Sequence, residues 1–314
     1  MAEPLNCASA ARRCPICGGA GAPELLQAPD RFHGRAALYR LVRCPSCTLV
    51  WLDQPPQPAE MWRHYGADYD AAIAQAAETS PDRWTGRRET VLRYASGGAI
   101  LDLGCSSGSF LAGFMGGPWK LYGIEMSPQM AKLAQDKCGA QVFVGDILAA
   151  PFEPNSFDVI TCFHVFEHLY EPKAVLARIA EWLRPGGVFY GVMPNIDSAC
   201  ARLFKSYWYP LELPRHLFHF SPASLLTLAA SVDLQVAEVR TYRESYVEHS
   251  ARYVCDALLG KVGVHRAPVA QARRARLPWK IVRKGLRLSL LPLFAATLSL
   301  VGDEEALYAI FRKP

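Results

Sequence analysis

The stretch Leu101-Asp102-Leu103-Gly104-Cys105-Ser106-Ser107-Gly108 constrains the fold more than any other part of the chain. An apolar run from Ala99 to Leu103 carries a carboxylate near its end. A turn of small residues follows, and then an apolar helix start at Phe110 and Leu111. That order reads as a strand feeding a helix through a loop whose backbone can approach a ligand closely, and it points to a nucleotide-like cofactor.

From Gly98 onward the chain alternates strand and helix. Strands are expected at 99–103, 119–124, 141–144, 157–162, 188–193, 234–239 and 306–311. Helices are expected at 109–115, 128–138, 172–183 and 222–230. Such alternation implies an α/β fold, a Rossmann-like seven-stranded, mostly parallel sheet with helices on both faces. The chain divides on this reading into residues 1–58, a zinc-ribbon-like module; 59–96, a helical linker or lid; 97–242, the cofactor-binding core; 243–302, a basic and apolar helical insertion; and 303–314, the final strand of the core.

Ligands on such sheets bind at the carboxyl ends of the strands, near a switch in strand order. Asp102, Gly104, Cys105, Ser106 and Gly108 lie at and just beyond the end of the first strand. Glu125 and Met126 follow the second, about 20 residues past the Gly-rich turn, where a carboxylate can accept from two ribose hydroxyls. Asp146 and Ile147 follow the third, and Phe163 and His164 the fourth. A hydride-transferring dinucleotide domain would share the first two of these features. Small or polar residues at four successive strand ends are a stronger signal than the loop alone, and Glu125 and Asp146 narrow the cofactor to S-adenosylmethionine.

On these residues the stretch from about Ala95 to Arg240 resembles the class I S-adenosylmethionine-dependent methyltransferases. Leu101 to Gly108 resembles their first motif, Phe157 to Leu169 their fourth-strand motif, and Leu183-Arg184-Pro185-Gly186-Gly187 the turn before the fifth strand. Leu213 to Phe220 is similar to the small-molecule branch that includes ubiquinone-type and sugar methyltransferases. Ser106 departs from the pattern, since many relatives have a second glycine there. The resemblance implies an in-line displacement in which positioning supplies much of the rate, helped by a base when the acceptor is a hydroxyl. His168, His216 and His219 are the candidate bases. His164, Glu167 and His168, spaced i, i+3 and i+4, would share a face on a helical turn. They are open to three readings: part of the cofactor shell, a source of the base, or a divalent-metal site.

Two cysteine pairs, Cys14 with Cys17 and Cys44 with Cys47, stand 26 residues apart. Knuckles of this kind present four thiolates to one tetrahedral ion, which marks a structural Zn²⁺ because no coordination position stays open. About 60 residues cannot easily bury a full core, so a metal is a reasonable staple.

The net charge of +5 is unevenly spread. No acid occurs between Ala257 and Gly302, whereas nine Lys and Arg do. Without those nine the remainder of the chain stands at −4. The apolar run 286–301 is shorter than the ~20 residues a span needs. Residues 261–301 are therefore read either as a peripheral membrane contact or as a lid or homodimer helix. Nucleic acid is not the expected partner: aromatics are few there and no RNA-binding motif is present. No secretory pattern opens the chain, so the expected location is cytoplasmic, with peripheral contact at the inner face of the membrane. The function expected is methyl transfer to a small-molecule acceptor, O-methylation of a sugar, lipid-linked or secondary-metabolite intermediate. A nucleic-acid methyltransferase and a non-catalytic S-adenosylmethionine-binding regulator are the alternatives.

Overall fold

The computed structural model describes residues 12–65, 84–244, 246–258 and 304–314. The basic segment 261–301 lies outside the described residues, and so do Cys7 and Tyr69. Among the described residues, no helix is long and apolar enough to cross a membrane.

Among the described residues the strands form two sheets. β1 (Glu24–Asp30), β2 (Arg35–Arg43) and β3 (Val50–Leu52) belong to a small antiparallel sheet. β4 (Gly98–Leu103), β5 (Trp119–Glu125), β6 (Gln141–Val144), β7 (Phe157–Phe163) and β8 (Leu183–Pro194) belong to the large one. β9 (Phe218–His219) then returns to the small sheet, while β10 (Gln235–Tyr242) and β11 (Ala306–Arg312) complete the large one. The large sheet has the order β10-β11-β8-β7-β4-β5-β6; β4 to β8 are parallel where they pair, and β11 runs antiparallel to both neighbours. The chain leaves β4 toward β6 and comes back to β7 on the other side, so the order switches at β4. The central strands are apolar on both faces, as helix-covered parallel strands must be; Ile100, Leu101, Val159, Ile160 and Val192 are fully buried.

The helices are α1 (Thr85–Leu92), α2 (Pro128–Cys138), α3 (Pro172–Trp182), α4 (Ala199–Phe204), α5 (Pro222–Ala230) and α6 (Tyr246–Leu258). α2 starts at Ser127, whose side chain accepts from Met130 N, has Pro at its first turn and ends at Gly139 in the left-handed region. All three are ordinary boundary signals.

Two local expectations are corrected. The helix expected at 109–115 is a single 3-10 turn, Leu111–Phe114, because Gly113 and the Gly116-Gly117 pair leave little to sustain an α-helix. The turn expected at 183–187 is absorbed into β8 as an irregularity: Phe157 pairs with Leu183, and the next pair is Val159 with Val188.

The cysteine module is not a separate unit. β9, from the loop after β8, pairs antiparallel with β3, matching Val50 to His219 and Trp51 to Phe218. Leu52 N also donates to Leu217 O (2.9 Å), and Thr48 and Ser221 share a hydroxyl hydrogen bond of 2.6 Å. Module and large domain share one apolar cluster.

Candidate active site

A cavity of about 1140 Å³ opens at the carboxyl ends of β4, β5, β6 and β7. Single-ligand pockets run to about 1,000 Å³, so this one has room for a cofactor and an acceptor side by side.

The cofactor end is built by the turn after β4. Gly104 has φ +70°, and a Cβ there would sit 2.4 Å from Val165 Cγ2, so glycine is required. Gly108 does not line the cavity. It lets α2 close in, since a Cβ would meet Ala134 Cα at 2.9 Å. Ser106 N donates to Glu125 Oε2 and Ser127 N to Oε1, both at 2.9 Å. The carboxylate is thereby held in place by backbone donors from two turns. Asp146 accepts from Leu148 N (2.7 Å) and begins the 3-10 turn that buries Ile147. Asp102 is buried, and burial raises its carboxyl to about 7 despite the Thr161 hydroxyl donating to it at 2.6 Å. Met126 is 68% exposed beside this end, an apolar face open to a ligand. Of the residues expected here, Asp102, Gly104, Cys105, Ser106, Glu125, Met126, Asp146, Ile147, Phe163 and His164 all line the cavity.

The other end is lined by side chains from several elements. His164 has φ +57° and is followed by a 3-10 turn, Phe166–His168, rather than the helical turn expected. Its Nδ1 still comes within 3.5 Å of Glu167 Oε1. Glu167 is 1% exposed, and neither carboxylate oxygen has a hydrogen bond; burial raises its carboxyl to about 7. His168 Nδ1 lies 3.1 Å from Arg215 O, and His216 Nδ1 lies 2.7 Å from Pro210 O. A carbonyl only accepts, so each Nδ1 carries the hydrogen and each Nε2 a lone pair. Burial lowers the pKa of both rings, that of His216 furthest, so both are neutral at pH 7. Glu167, His168 and His216 place ligating atoms within 4.8 Å of one another.

His219 is different. It lies in β9, does not line the cavity, and neither ring nitrogen has a hydrogen-bond partner; burial drives its pKa to about 3. The strand pairing with Val50 turns it into the apolar core beside Trp208.

Two cavity residues carry no local sequence signal. Arg87, on α1, directs Nη2 to His164 Nε2 (3.3 Å) and to the Tyr242 hydroxyl (3.4 Å), while its buried Nη1 has no hydrogen bond. Its partners come from the turn after β7 and from β10, so only the fold assembles them. Phe32, at the β1–β2 turn, reaches the cavity wall, where the buried Arg215 guanidinium lies 3.8 Å over its ring.

The four cysteines meet. Cys14 Sγ is 3.5 Å from Cys47 Sγ, and Cys17 Sγ is 3.5 Å from Cys44 Sγ; all four sulfurs lie within 4.8 Å. A tetrahedron of thiolates at ~2.3 Å from zinc has edges of about 3.8 Å, so the set fits that ion. Gly19 N and Cys47 N approach Cys17 Sγ and Cys44 Sγ at 3.4 and 3.5 Å, the outer-shell donors a thiolate site uses. Burial pushes the Cys44 thiol up, but the backbone donors of Cys47 and Ser46 outweigh it and hold the thiol at about 7.

A doubly wound sheet with its site at the switch strand, acidic and glycine positions at successive strand ends, and space for two ligands defines a class I S-adenosylmethionine-dependent methyltransferase. Residues 61–239, more than half of the chain, match the methyltransferase-domain family, and the chain belongs to that family. A ubiquinone biosynthesis O-methyltransferase of Paraburkholderia phytofirmans is 26% identical over 159 residues, 47% of this chain and 68% of the relative. One from Xanthomonas euvesicatoria pv. vesicatoria is 28% identical over 46% of this chain and 65% of its own length. Among solved structures, Haemonchus contortus phosphoethanolamine N-methyltransferase 2 with S-adenosyl-L-methionine aligns at TM-score 0.55 and 17% identity, covering 84% of this chain and 63% of that one. A Haloferax volcanii methyltransferase complex with the Trm112 activator aligns at TM-score 0.51 and 18% identity, covering 78% and 97%. These two likenesses speak to the fold alone.

Proposed function

We propose that this methyltransferase transfers the methyl group to a hydroxyl of a small-molecule acceptor, with His168 as the base. The observation that carries the reading is the pair of neutral imidazoles at the acceptor end of the cavity. Each is held by a backbone carbonyl in the tautomer that leaves Nε2 free to take a proton. The O-methyltransferase relatives agree with oxygen as the acceptor atom.

S-Adenosylmethionine, when bound, supplies a methyl group on a sulfonium that leaves readily. Glu125 would accept from the ribose hydroxyls and Asp146 from the adenine amino group, with Met126 and Ile147 against the ring. Arg87, a cavity-lining cation whose Nη1 has no hydrogen bond, would take the carboxylate of the methionine moiety. His168 Nε2 receives the proton of the attacking hydroxyl, and its Nδ1–H holds the ring in place on Arg215 O. The aromatic side chains of Trp84, Tyr65 and Tyr246 line the same space. Cys14, Cys17, Cys44 and Cys47 would hold one structural zinc.

The β1–β2 turn faces the cavity with Phe32, which supports a module that shapes the acceptor site rather than one that grips nucleic acid. The test is calorimetry together with labelled-methyl transfer to cell extract. Glu125→Ala should weaken cofactor binding by about 1–3 kcal/mol. His168→Ala should leave binding intact and lower transfer about 10²–10⁴-fold. Tight cofactor binding with no transfer to any extract would favour a regulatory protein.

A further inference from the structure

We infer that Arg31 is a positioning residue: it clamps a strap, residues 205–212, whose carbonyl at Pro210 holds the ring of His216. The inference rests on the methyltransferase reading of this cavity and names what keeps one of its walls in register. The strap has little internal support. It consists of two 3-10 turns, Lys205–Tyr207 and Tyr209–Leu211, joined at Trp208. Each end holds a non-glycine residue at positive φ, Lys205 at +49° and Glu212 at +35°. Such conformations persist where the surrounding structure over-determines them. Trp208, Pro210 and Leu211 are buried, whereas Ser206 and Tyr207 in the first turn are only half-buried. That first turn is the part most dependent on a grip from outside.

Arg31 supplies that grip from the cysteine module. Its Nε donates to Ser206 O (3.0 Å), and its Cζ lies 3.8 Å from the centroid of the Tyr207 ring. One planar guanidinium thus pins both the backbone and a side chain of the turn. The β1–β2 turn that delivers Arg31 is itself fixed. Asp30 is fully buried, His33 N donates to its Oδ1 (2.9 Å), and His33 Nδ1 lies 3.0 Å from its Oδ2. The second turn of the strap is held from α6, where Ser250 Oγ accepts from Tyr209 N (2.9 Å) and His249 stacks on Tyr209 with ring centroids 4.5 Å apart. Tyr209, Pro210 and Glu212 line the cavity. Pro210 O accepts from His216 Nδ1 (2.7 Å), and Glu212 pairs with Arg215 (2.6 Å). A strap that slackens withdraws the Pro210 carbonyl, and the hydrogen of His216 is then free to move to Nε2.

Hydrogen exchange and nitrogen-15 spectra of the full chain bound to S-adenosylhomocysteine test this. In Arg31→Ala the amides of residues 206–212 should exchange at least about fivefold faster than in the wild type, the loss expected for one hydrogen bond and one cation–π contact. The amides of β4 and β7 should keep their rates. The His216 ring, assigned by its disappearance in His216→Phe, should be the Nδ1–H tautomer in the wild type and gain an Nε2–H population in Arg31→Ala. A merely structural arginine would lower the melting temperature and leave that tautomer alone. Should Arg31→Ala not fold, Tyr207→Leu takes away the ring beneath the guanidinium and serves with the same two readouts. Unchanged exchange at 206–212 overturns the inference, and so does faster exchange with His216 still wholly Nδ1–H. An equal gain in β4 and β7 overturns it as well, since that is lost global stability rather than a released strap. Calorimetry should find S-adenosylhomocysteine binding to variant and wild type within about twofold. Its failure to bind the wild type would strike the methyltransferase reading, whereas its binding with the strap unmoved strikes only this one.

Discussion

Ser106 sits at φ +47°, where an L-residue is strained, and its buried hydroxyl has no hydrogen-bond partner although it lines the cofactor end. With no partner in the protein, the hydroxyl is proposed to find one in the bound cofactor. Ser106→Gly should therefore raise stability by up to about 1 kcal/mol and weaken S-adenosylhomocysteine binding about tenfold. Thermal melts and calorimetry measure the two effects, and unchanged binding would remove the hydroxyl from the contact set. His219 is the opposite case, a polar ring with no task at the site. Its folded pKa, about 3, lies below the ordinary histidine value of 6.5. The unfolded chain therefore takes up a proton there before the folded one does. The neutral ring's contribution is fully present above pH 6.5 and is lost as pH falls from 6.5 toward 3. His219→Phe should make stability less steep over that window by about 1.4 kcal/mol per pH unit. Urea unfolding at several pH values measures the slope, and an unaltered slope would mean that His219 is already hydrated.

At the level of elements, β9 matters most for how the two parts of the chain work together. It is two residues long, yet it carries the loop bearing Arg215 and His216 into register with β3 of the cysteine module. That pairing was not legible in the sequence. Period-2 alternation cannot mark a two-residue strand, and its partner is some 170 residues away. The central strands of the large sheet were legible because β4, β7 and β8 carry buried apolar runs, and β6 and β10 followed from the alternation of strand and helix. The carboxylates and glycines at their ends followed from that order alone. The coupling between module and loop predicts the behaviour of Cys44→Ser. Zinc content should fall from about one per chain to near zero. The melting temperature should drop, and methyl transfer should drop with it as the His216 loop loses its strand partner. Cofactor affinity should stay within about twofold, because Glu125, Ser106 and Asp146 belong to the other sheet. A variant that loses zinc and keeps full transfer would show that β9 holds its place without the module.

Across the whole molecule the cavity has two ends of different construction, and this sets what its ligands stabilise. The cofactor end is made by β4, β5, β6 and the turns that leave them, all within the large sheet. The acceptor end needs both sheets, since Phe32 from the small one lines it together with His168 and His216. Composition and motif order could place the first end. They could not place Arg87, Phe32 or the burial of Glu167, which depend on side chains brought together from distant strands. A ligand that binds only the folded state adds RT ln(1 + [L]/Kd), about 2.7 kcal/mol at a hundredfold excess over Kd. S-Adenosylhomocysteine should give nearly this full increment both to the intact protein and to protein stripped of metal, since the residues proposed to hold it lie outside the module. An acceptor-site ligand added on top should stabilise only the intact protein, because stripping frees the loop that carries His216. Chemical denaturation of the four combinations measures both increments. If S-adenosylhomocysteine loses most of its increment on stripping, the two sheets form a single cooperative unit reaching into the cofactor end. If the acceptor ligand keeps its own, the module takes no part in holding the acceptor.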